Sequence, residues 1–153
     1  MNKEFKKLVD RLPSLLEELV GSPLILWSNL ENLPERGIYV FYEDGKPLYV
    51  GRTNRMKNRI KQHGWSSSKH NSAPFAFNLA KKIAEEKELD VSKPRAKLEE
   101  DPTFANLFSE AKARVSKMSV QVIEVNDPII QTLFEVYAAL ALQTLEYNDF
   151  DTH

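Results

Sequence analysis

Residues 37–63 read GIYVFYEDGKPLYVGRTNRMKNRIKQH, and this stretch decides the fold. Two runs within it, residues 37–42 and 46–51, are rich in Ile, Val, Tyr, Phe and Leu, which favour β-strands. The residues between them, 43–45, are Glu, Asp and Gly, a composition typical of a hairpin turn. The stretch therefore predicts a β-hairpin at the centre of the fold.

The length of the hairpin loop decides which side chains share a face, because side chains alternate across a strand. A two-residue Asp44-Gly45 turn pairs Tyr39 with Val50 and points Tyr39 away from Tyr49. A three-residue loop, with Gly45 in the left-handed conformation as a bulge, pairs Tyr39 directly with Tyr49. We predict the three-residue loop, since glycine adopts positive φ without steric cost. The two faces then carry Tyr39, Phe41 and Tyr49 on one side and Ile38, Val40, Leu48 and Val50 on the other.

A basic helix follows the hairpin. Asn54 is a suitable N-cap for a helix that begins at Arg55, and Arg59 and His63 lie on one face of it because they are four residues apart. The formal net charge of the chain is only −1, so a polyanionic partner has to be attracted by local charge. Such charge is present from Arg52 to His70, where there is no Asp or Glu and six basic residues occur: Arg52, Arg55, Lys57, Arg59, Lys61 and Lys69.

The rest of the chain predicts helices and one further strand. These elements are a helical arm over residues 1–33 that is kinked or split at Pro13, a polar loop over residues 64–73, helices starting at Pro74 and Pro102 with a solvated acidic loop between them, a strand over residues 118–125, and an apolar helix from Pro128 to Leu145. We expect one α+β domain over residues 1–153, with a small three-stranded antiparallel sheet flanked by helices and a helical insertion over residues 65–117.

Composition excludes several classes of function. The chain of 153 residues has no cysteine, which rules out disulfides, zinc-thiolate sites and thiol nucleophiles. No long apolar stretch indicates a signal peptide or a transmembrane helix, so a cytoplasmic protein without membrane contact is expected. We assign no role to His70 or His153.

The chain resembles the GIY-YIG nuclease family, in a small stand-alone form. The resemblance is carried by the tripeptide GIY, the tripeptide YVG after nine intervening residues, and an Arg and a His on the next helix. The resemblance implies a metal-dependent endonuclease, with DNA favoured over RNA as the substrate and one Mg²⁺ or Mn²⁺ ion as cofactor. Carried over residue by residue, it implies catalytic roles for Tyr39, Tyr49, Arg59, His63, Glu135 and Asn148. The long segment of residues 65–117 makes the assignment of Asn148 the least direct.

The chemistry of these side chains suits phosphodiester hydrolysis. Tyr39 is the expected general base, although its pKa must be lowered from about 10 by nearby positive charge. Tyr49 positions the water or the phosphate, and Arg59 binds the phosphate through its donor fork. Glu135 is the expected metal ligand, because it is the only charge on an otherwise apolar helix. His63 accepts or relays the proton.

Each role has a plainer alternative. Glu135 could simply face water, His63 could be a structural histidine, and Asn148 could cap the last helix rather than orient the site. The backbone-phosphate contacts expected of Arg52, Arg55, Lys57, Lys61 and Lys69 could instead be a solvated basic helix. Two functional alternatives also stay open: a nucleic-acid-binding module that does not cut, and a structural or interaction protein.

Overall fold

A computed structural model describes residues 1–150 of the chain. The elements in order are helices α1 (Lys3–Val9) and α2 (Leu12–Val20), strand β1 (Ile25–Leu26), a 3-10 turn (Trp27–Asn29), strands β2 (Gly37–Glu43) and β3 (Lys46–Thr53), helices α3 (Met56–Gly64), α4 (Pro74–Glu86), α5 (Arg95–Glu100) and α6 (Pro102–Val115), strand β4 (Ser119–Glu124), and helix α7 (Pro128–Ala141). The chain divides into two compact units, which are described separately below. The sheet unit comprises residues 1–57 and the chain from Ser119 onward, and the helical unit comprises residues 58–118.

The sheet unit is built on a four-stranded antiparallel sheet in the order β1-β4-β2-β3. This confirms the α+β class and the antiparallel sheet flanked by helices, with one strand more than predicted. The additional strand β1 has only two residues, and it exists because Ile25 and Leu26 pair with Val120 and Ser119 of β4. Two residues have no periodicity, so nothing in the local sequence marks this strand.

The register of the hairpin corrects the predicted loop. The turn has two residues, and both have positive φ, 51° at Asp44 and 79° at Gly45, which is the combination of a type I′ turn. Glu43 pairs with Lys46, and a bulge then shifts the ladder before Phe41 pairs with Tyr49. Tyr39 is therefore opposite Gly51 rather than Tyr49, and the predicted three-residue loop is wrong.

The predicted faces survive this correction except at Leu48, because the bulge restores the alternation that the shorter turn would have inverted. Leu48, predicted on the face of Ile38, Val40 and Val50, lies at the bulge and has no register partner. Tyr39, Phe41 and Tyr49 share one face. Ile38, Val40 and Val50 share the other, which forms the apolar core of the sheet unit together with Leu12, Leu19, Ile123, Val125, Ile130, Phe134, Ala138 and Ala139.

Helices α2 and α7 cover the core face of the sheet. The arm is split as predicted, with α1 ending at Val9 and Pro13 lying in the first turn of α2, where a missing N–H is tolerated. Helix α7 begins at the predicted cap, since the Asp127 carboxylate accepts from the N–H groups of Ile129 and Ile130 at 2.8 and 3.1 Å. It ends at Ala141, before the predicted Leu145, because Gln143 adopts φ 58°.

The helical unit contains α4, α5 and α6. Phe77 of α4 packs against Phe104 and Phe108 of α6, with ring centroids 5.0 and 5.6 Å apart. The acidic stretch predicted as a solvated loop contains the short helix α5, which buries Leu98. Its single apolar anchor gives too little periodicity to predict a helix. No helix within residues 1–150 is long and apolar enough to cross a membrane.

Candidate active site

Tyr39 of the GIY tripeptide lies across Gly51 of the YVG tripeptide. The two residues are register partners, and a Cβ atom on Gly51 would lie 2.1 Å from Tyr39 Cζ and 2.2 Å from its hydroxyl oxygen. Position 51 must therefore be glycine for the phenol to occupy this place. The ring is 1% exposed and packs edge-on against Phe41, with centroids 5.9 Å apart.

Gly37 has an equally specific reason to be glycine. A Cβ atom there would lie 1.9 Å from the carbonyl oxygen of Ile123 on β4. The first residue of GIY thus lets β2 approach β4 closely, and the last residue of YVG makes room for Tyr39. Both glycines of the two tripeptides are explained by the positions of neighbouring atoms.

Tyr49 is half-buried and lies on the same face as Tyr39. It pairs with Phe41, so it is a diagonal neighbour of Tyr39, at the roughly 7–8 Å that separates such positions in antiparallel sheets. Side chains as long as tyrosine reach across this distance. The two tyrosines are therefore neighbours on one face of the hairpin, although they are not opposite each other.

Glu135 reaches the edge strand β3 from α7. Its carboxylate oxygen Oε1 lies 3.9 Å from Nε of Arg52, and it also accepts from the backbone N–H of Arg52. The side chain is 23% exposed. Burial raises the pKa of Glu135 above its usual value, while the positive charge and the N–H of Arg52 act in the opposite direction. The positive charge of Arg52 therefore partly offsets the cost of burying this carboxylate.

Asn148 completes the backbone hydrogen bonding of the edge strand. Its side-chain oxygen accepts from the N–H of Val50 at 2.9 Å, and its amide nitrogen donates to the carbonyl of Val50 at 2.7 Å. The hydroxyl of Thr144 donates to the same oxygen of Asn148 at 2.8 Å. Asn148 is thus held by three hydrogen bonds, and it fixes the central residue of YVG.

Four of the six predicted catalytic residues consequently lie in or contact the segment of residues 49–52. Tyr49 belongs to that segment, the Tyr39 ring covers Gly51, Asn148 binds the backbone of Val50, and Glu135 binds Arg52. These residues come from three separate parts of the chain. Their assignment to a catalytic site stays a prediction.

Arg59 and His63 lie on α3 in the helical unit. One terminal nitrogen of Arg59, Nη1, donates to the side chain of Gln62 at 3.0 Å and to the carbonyl of Ser72 at 2.9 Å. These bonds fix the guanidinium while engaging only part of its donor set. His63 is fully buried, and desolvation, followed by the positive charge of Arg59, holds its pKa well below the usual 6.5. His63 is therefore neutral at neutral pH.

The predicted phosphate-contacting cations divide between the units. Arg52, Arg55 and Lys57 belong to the sheet unit and are exposed; Lys61 and Lys69 belong to the helical unit, half-buried and exposed respectively. Arg52 also pairs with Glu135, a contact that the sequence did not predict because the two residues are far apart in the chain. Asn54, predicted as a cap, accepts through its side-chain oxygen from Gln131 at 3.2 Å, and Gln131 also donates to the carbonyl of Val125 at 2.6 Å.

The donor set fits a Mg²⁺ or Mn²⁺ ion held by few protein ligands. No group of three or more His, Cys, Asp or Glu side chains that could hold a metal occurs within residues 1–150. Mg²⁺ commonly keeps several waters and is bound through one or two carboxylates and the phosphates of its substrate. Glu135 offers one carboxylate of this kind, half-buried beside Arg52.

Comparison with known proteins places the motif region in a family. The family model described as the GIY-YIG catalytic domain matches residues 35–103, which include the hairpin and helices α3, α4 and α5. Neither the curated proteins nor the solved structures gave a significant match. The matched family supports a nuclease-type function in general. The match over residues 35–103, with both tripeptides on the hairpin and Gly51 beneath Tyr39, supports membership of the GIY-YIG nuclease superfamily.

Proposed function

We propose that the protein is a metal-dependent endonuclease that hydrolyses phosphodiester bonds of nucleic acid, DNA rather than RNA. The observation that carries this proposal is the arrangement around residues 49–52, where Tyr39, Asn148 and Glu135 each contact a different residue of one strand segment.

The proposed reaction is attack of a water oxygen on phosphorus with cleavage of the bond to the leaving oxygen. Tyr39, as phenolate, takes the proton of the attacking water, and Tyr49 positions that water or the phosphate. Arg59 binds the phosphate, since its guanidinium is oriented through Nη1 and keeps other donors. His63 is the proposed group that accepts or relays the proton from Tyr39. Burial lowers its pKa, so the ring is neutral at neutral pH but is a weak base, and a proton that it takes has to be passed on.

Glu135 is the proposed ligand of one Mg²⁺ or Mn²⁺ ion. When bound, such an ion would neutralise charge on the phosphate and on the leaving oxygen. Asn148 positions the strand, because it binds both backbone groups of Val50. Arg52, Arg55, Lys57, Lys61 and Lys69 are the proposed contacts to the nucleic-acid backbone, which supply affinity without sequence information.

A nicking assay on supercoiled plasmid tests the proposal. We expect wild type to nick with Mg²⁺ or Mn²⁺ and to be inactive in excess chelator, and Glu135→Gln to lose at least about a hundredfold in rate, as removal of a major electrostatic contributor typically does. Glu124→Gln is the matched control, because Glu124 is an exposed carboxylate in the same unit. It is expected to nick at the wild-type rate.

Three outcomes contradict the proposal in different ways. Wild type that binds DNA but never nicks it identifies a binding module on the same fold. Wild type that neither binds nor nicks any nucleic acid points to a structural or interaction protein. Undiminished nicking by Glu135→Gln refutes the role of Glu135 while leaving the nuclease activity in place.

A further inference from the structure

The loop of residues 65–72 in the helical unit is held in one shape by contacts on several sides. Lys112 of α6 donates from Nζ to the carbonyls of Ser66 and Ser68, both at 2.8 Å. The hydroxyl of Ser68 donates in turn to the carbonyl of Gln62 at 2.5 Å. Arg59 reaches the other end of the loop, at the carbonyl of Ser72.

A further contact fixes the middle of the loop. The Glu99 carboxylate of α5 accepts from the backbone N–H of His70, and its Oε1 lies 3.0 Å from Nδ1 of the His70 ring. Both side chains are less than one-fifth exposed. The sequence suggested an ordinary polar loop, but helices α3, α5 and α6 each contribute an anchor to it.

The anchor from Lys112 is thermodynamically expensive. The residue is only 6% exposed, its ammonium lies 4.3 Å from the centre of the Phe108 ring, and burial lowers its pKa. Removing an ammonium group from water is unfavourable unless hydrogen bonds and other contacts compensate. The buried ammonium of Lys112 therefore holds the loop in one conformation, and the side chains that the loop exposes to solvent are held in fixed positions.

The loop presents one large aromatic side chain among small polar and basic ones. Trp65 is 41% exposed, and Ser66, Ser67 and Lys69 are also exposed. The chain from Arg52 to His70 contains no Asp or Glu. The carboxylate that contacts the loop from α5, Glu99, is 18% exposed and lies 3.0 Å from Nδ1 of His70. An indole on an already ordered loop loses little conformational entropy on binding, so it is suited to act as a stacking surface.

We propose that Trp65 stacks on an unpaired base and that Lys69 binds an adjacent phosphate, so that the helical unit selects nucleic acid containing a gap, flap or other single-stranded segment over an intact duplex. This inference rests on the proposed function and names its substrate class. The bases of an intact duplex are already stacked on one another, and only an unpaired base offers a free face to the indole. Stacking on a tryptophan is tolerant of base identity, so selection is for structure rather than for sequence.

Trp65 can report on its own environment. The chain has two tryptophans, so the variant Trp27→Phe leaves Trp65 as the only indole. In chelator, which prevents cleavage, we expect titration with a gapped duplex to quench the Trp65 fluorescence, and titration with the fully paired duplex to leave it within a few per cent of its starting value.

Binding affinities of variants complete the test. Trp65→Ala is expected to weaken binding of the gapped duplex about tenfold, in line with the loss of one stacked base, and to change binding of the paired duplex by less than about twofold. Trp65→Phe should keep most of the affinity for the gapped duplex. Lys69→Gln is the matched comparison, because the loss of a phosphate contact weakens both substrates alike and lowers the salt dependence by about one unit.

The failures of this inference and of the proposed function are distinguishable. If wild type binds and nicks DNA but Trp65→Ala binds both duplexes as wild type does, the stacking surface is refuted and the nuclease stands. If wild type binds neither duplex, both proposals fall. Trp65 is an exposed loop residue, so Trp65→Ala is expected to fold normally, and circular dichroism verifies this.

Discussion

The contact between Tyr39 and Gly51 makes a prediction with an unusually direct structural basis. In Gly51→Ala, the new methyl group would lie 2.1 Å from Cζ, 2.2 Å from the hydroxyl oxygen and 2.7 Å from Cε1 of Tyr39. These distances are far below van der Waals contact, so the phenol has to move. It has little room to do so, because the ring is 1% exposed and packed against Phe41.

Overpacking of this kind costs about 1–3 kcal/mol, and we expect the upper end, about 3 kcal/mol, because a rigid aromatic ring must be displaced. For a chain of this size, the corresponding fall in melting temperature is about 6–12 °C. Urea unfolding followed by circular dichroism measures the change as a lower midpoint at unchanged slope. Nicking activity should fall in parallel, because Tyr39 is the proposed general base.

Two further variants isolate the cause. Gly45→Ala is the matched control: it adds the same methyl group where no atom lies within 4 Å, and it should cost only about 1 kcal/mol through the positive φ of 79°. Tyr39→Leu removes the atoms that clash, so Gly51→Ala should cost less than about 1 kcal/mol in that background. Strict additivity of Tyr39→Leu and Gly51→Ala, or a Gly51→Ala variant more stable than Gly45→Ala, would refute the reasoning.

Three other predictions concern the remaining site residues. Asn148→Leu should lower the free energy of unfolding by about 2–3 kcal/mol, because both backbone groups of Val50 lose their partner, and native-state hydrogen exchange should show faster exchange of the Val50 amide than in wild type. The pKa of His63 in the folded state is below the unfolded value of 6.5, so the unfolded state binds more protons between these two values. Stability should therefore fall as pH drops through that window. In His63→Gln, the urea midpoint should no longer show this fall. The pKa of Glu135 is raised in the folded state, so the folded state binds the proton more tightly than the unfolded state does. In chelator, Glu135→Gln should therefore be more stable than wild type at neutral pH, and the difference in stability should shrink as pH falls through the raised pKa toward 4.5. A difference in stability that does not depend on pH would exclude the carboxylate as its source.

The sequence predicted the larger elements because their signals are local. The Asp127-Pro128 start of α7, the proline that splits the N-terminal arm and the β-forming composition of β2 each depend on neighbouring residues alone. The hairpin register depends on both the turn and a bulge in the strands that follow it. Asp44-Gly45 is a strong two-residue turn signal, but a bulge farther along β3 then restores the faces, and no local residue pattern announces that bulge.

The candidate site divides in the same way. Tyr39, Tyr49 and Glu135 could be named from residue type and motif. The Arg52–Glu135 pair and the three hydrogen bonds of Asn148 join distant parts of the chain, and only the fold brings them together. The burial of Lys112 has no local signal in the sequence, because it depends on the loop carbonyls of Ser66 and Ser68 that its ammonium binds.

The attachment of Asn148 to Val50 also affects the protein while it is being synthesised. Strand β3 is the last strand of the sheet order, and the side chain that satisfies its outer backbone groups lies 98 residues later in the chain. At about 5–20 residues per second, the ribosome delivers Asn148 roughly 5–20 s after Val50. During that interval the nascent hairpin exposes an unprotected strand edge, which is a template for pairing with other chains. Translation rate and chaperone supply should therefore influence the soluble yield of this protein more than the stability of its finished fold would suggest.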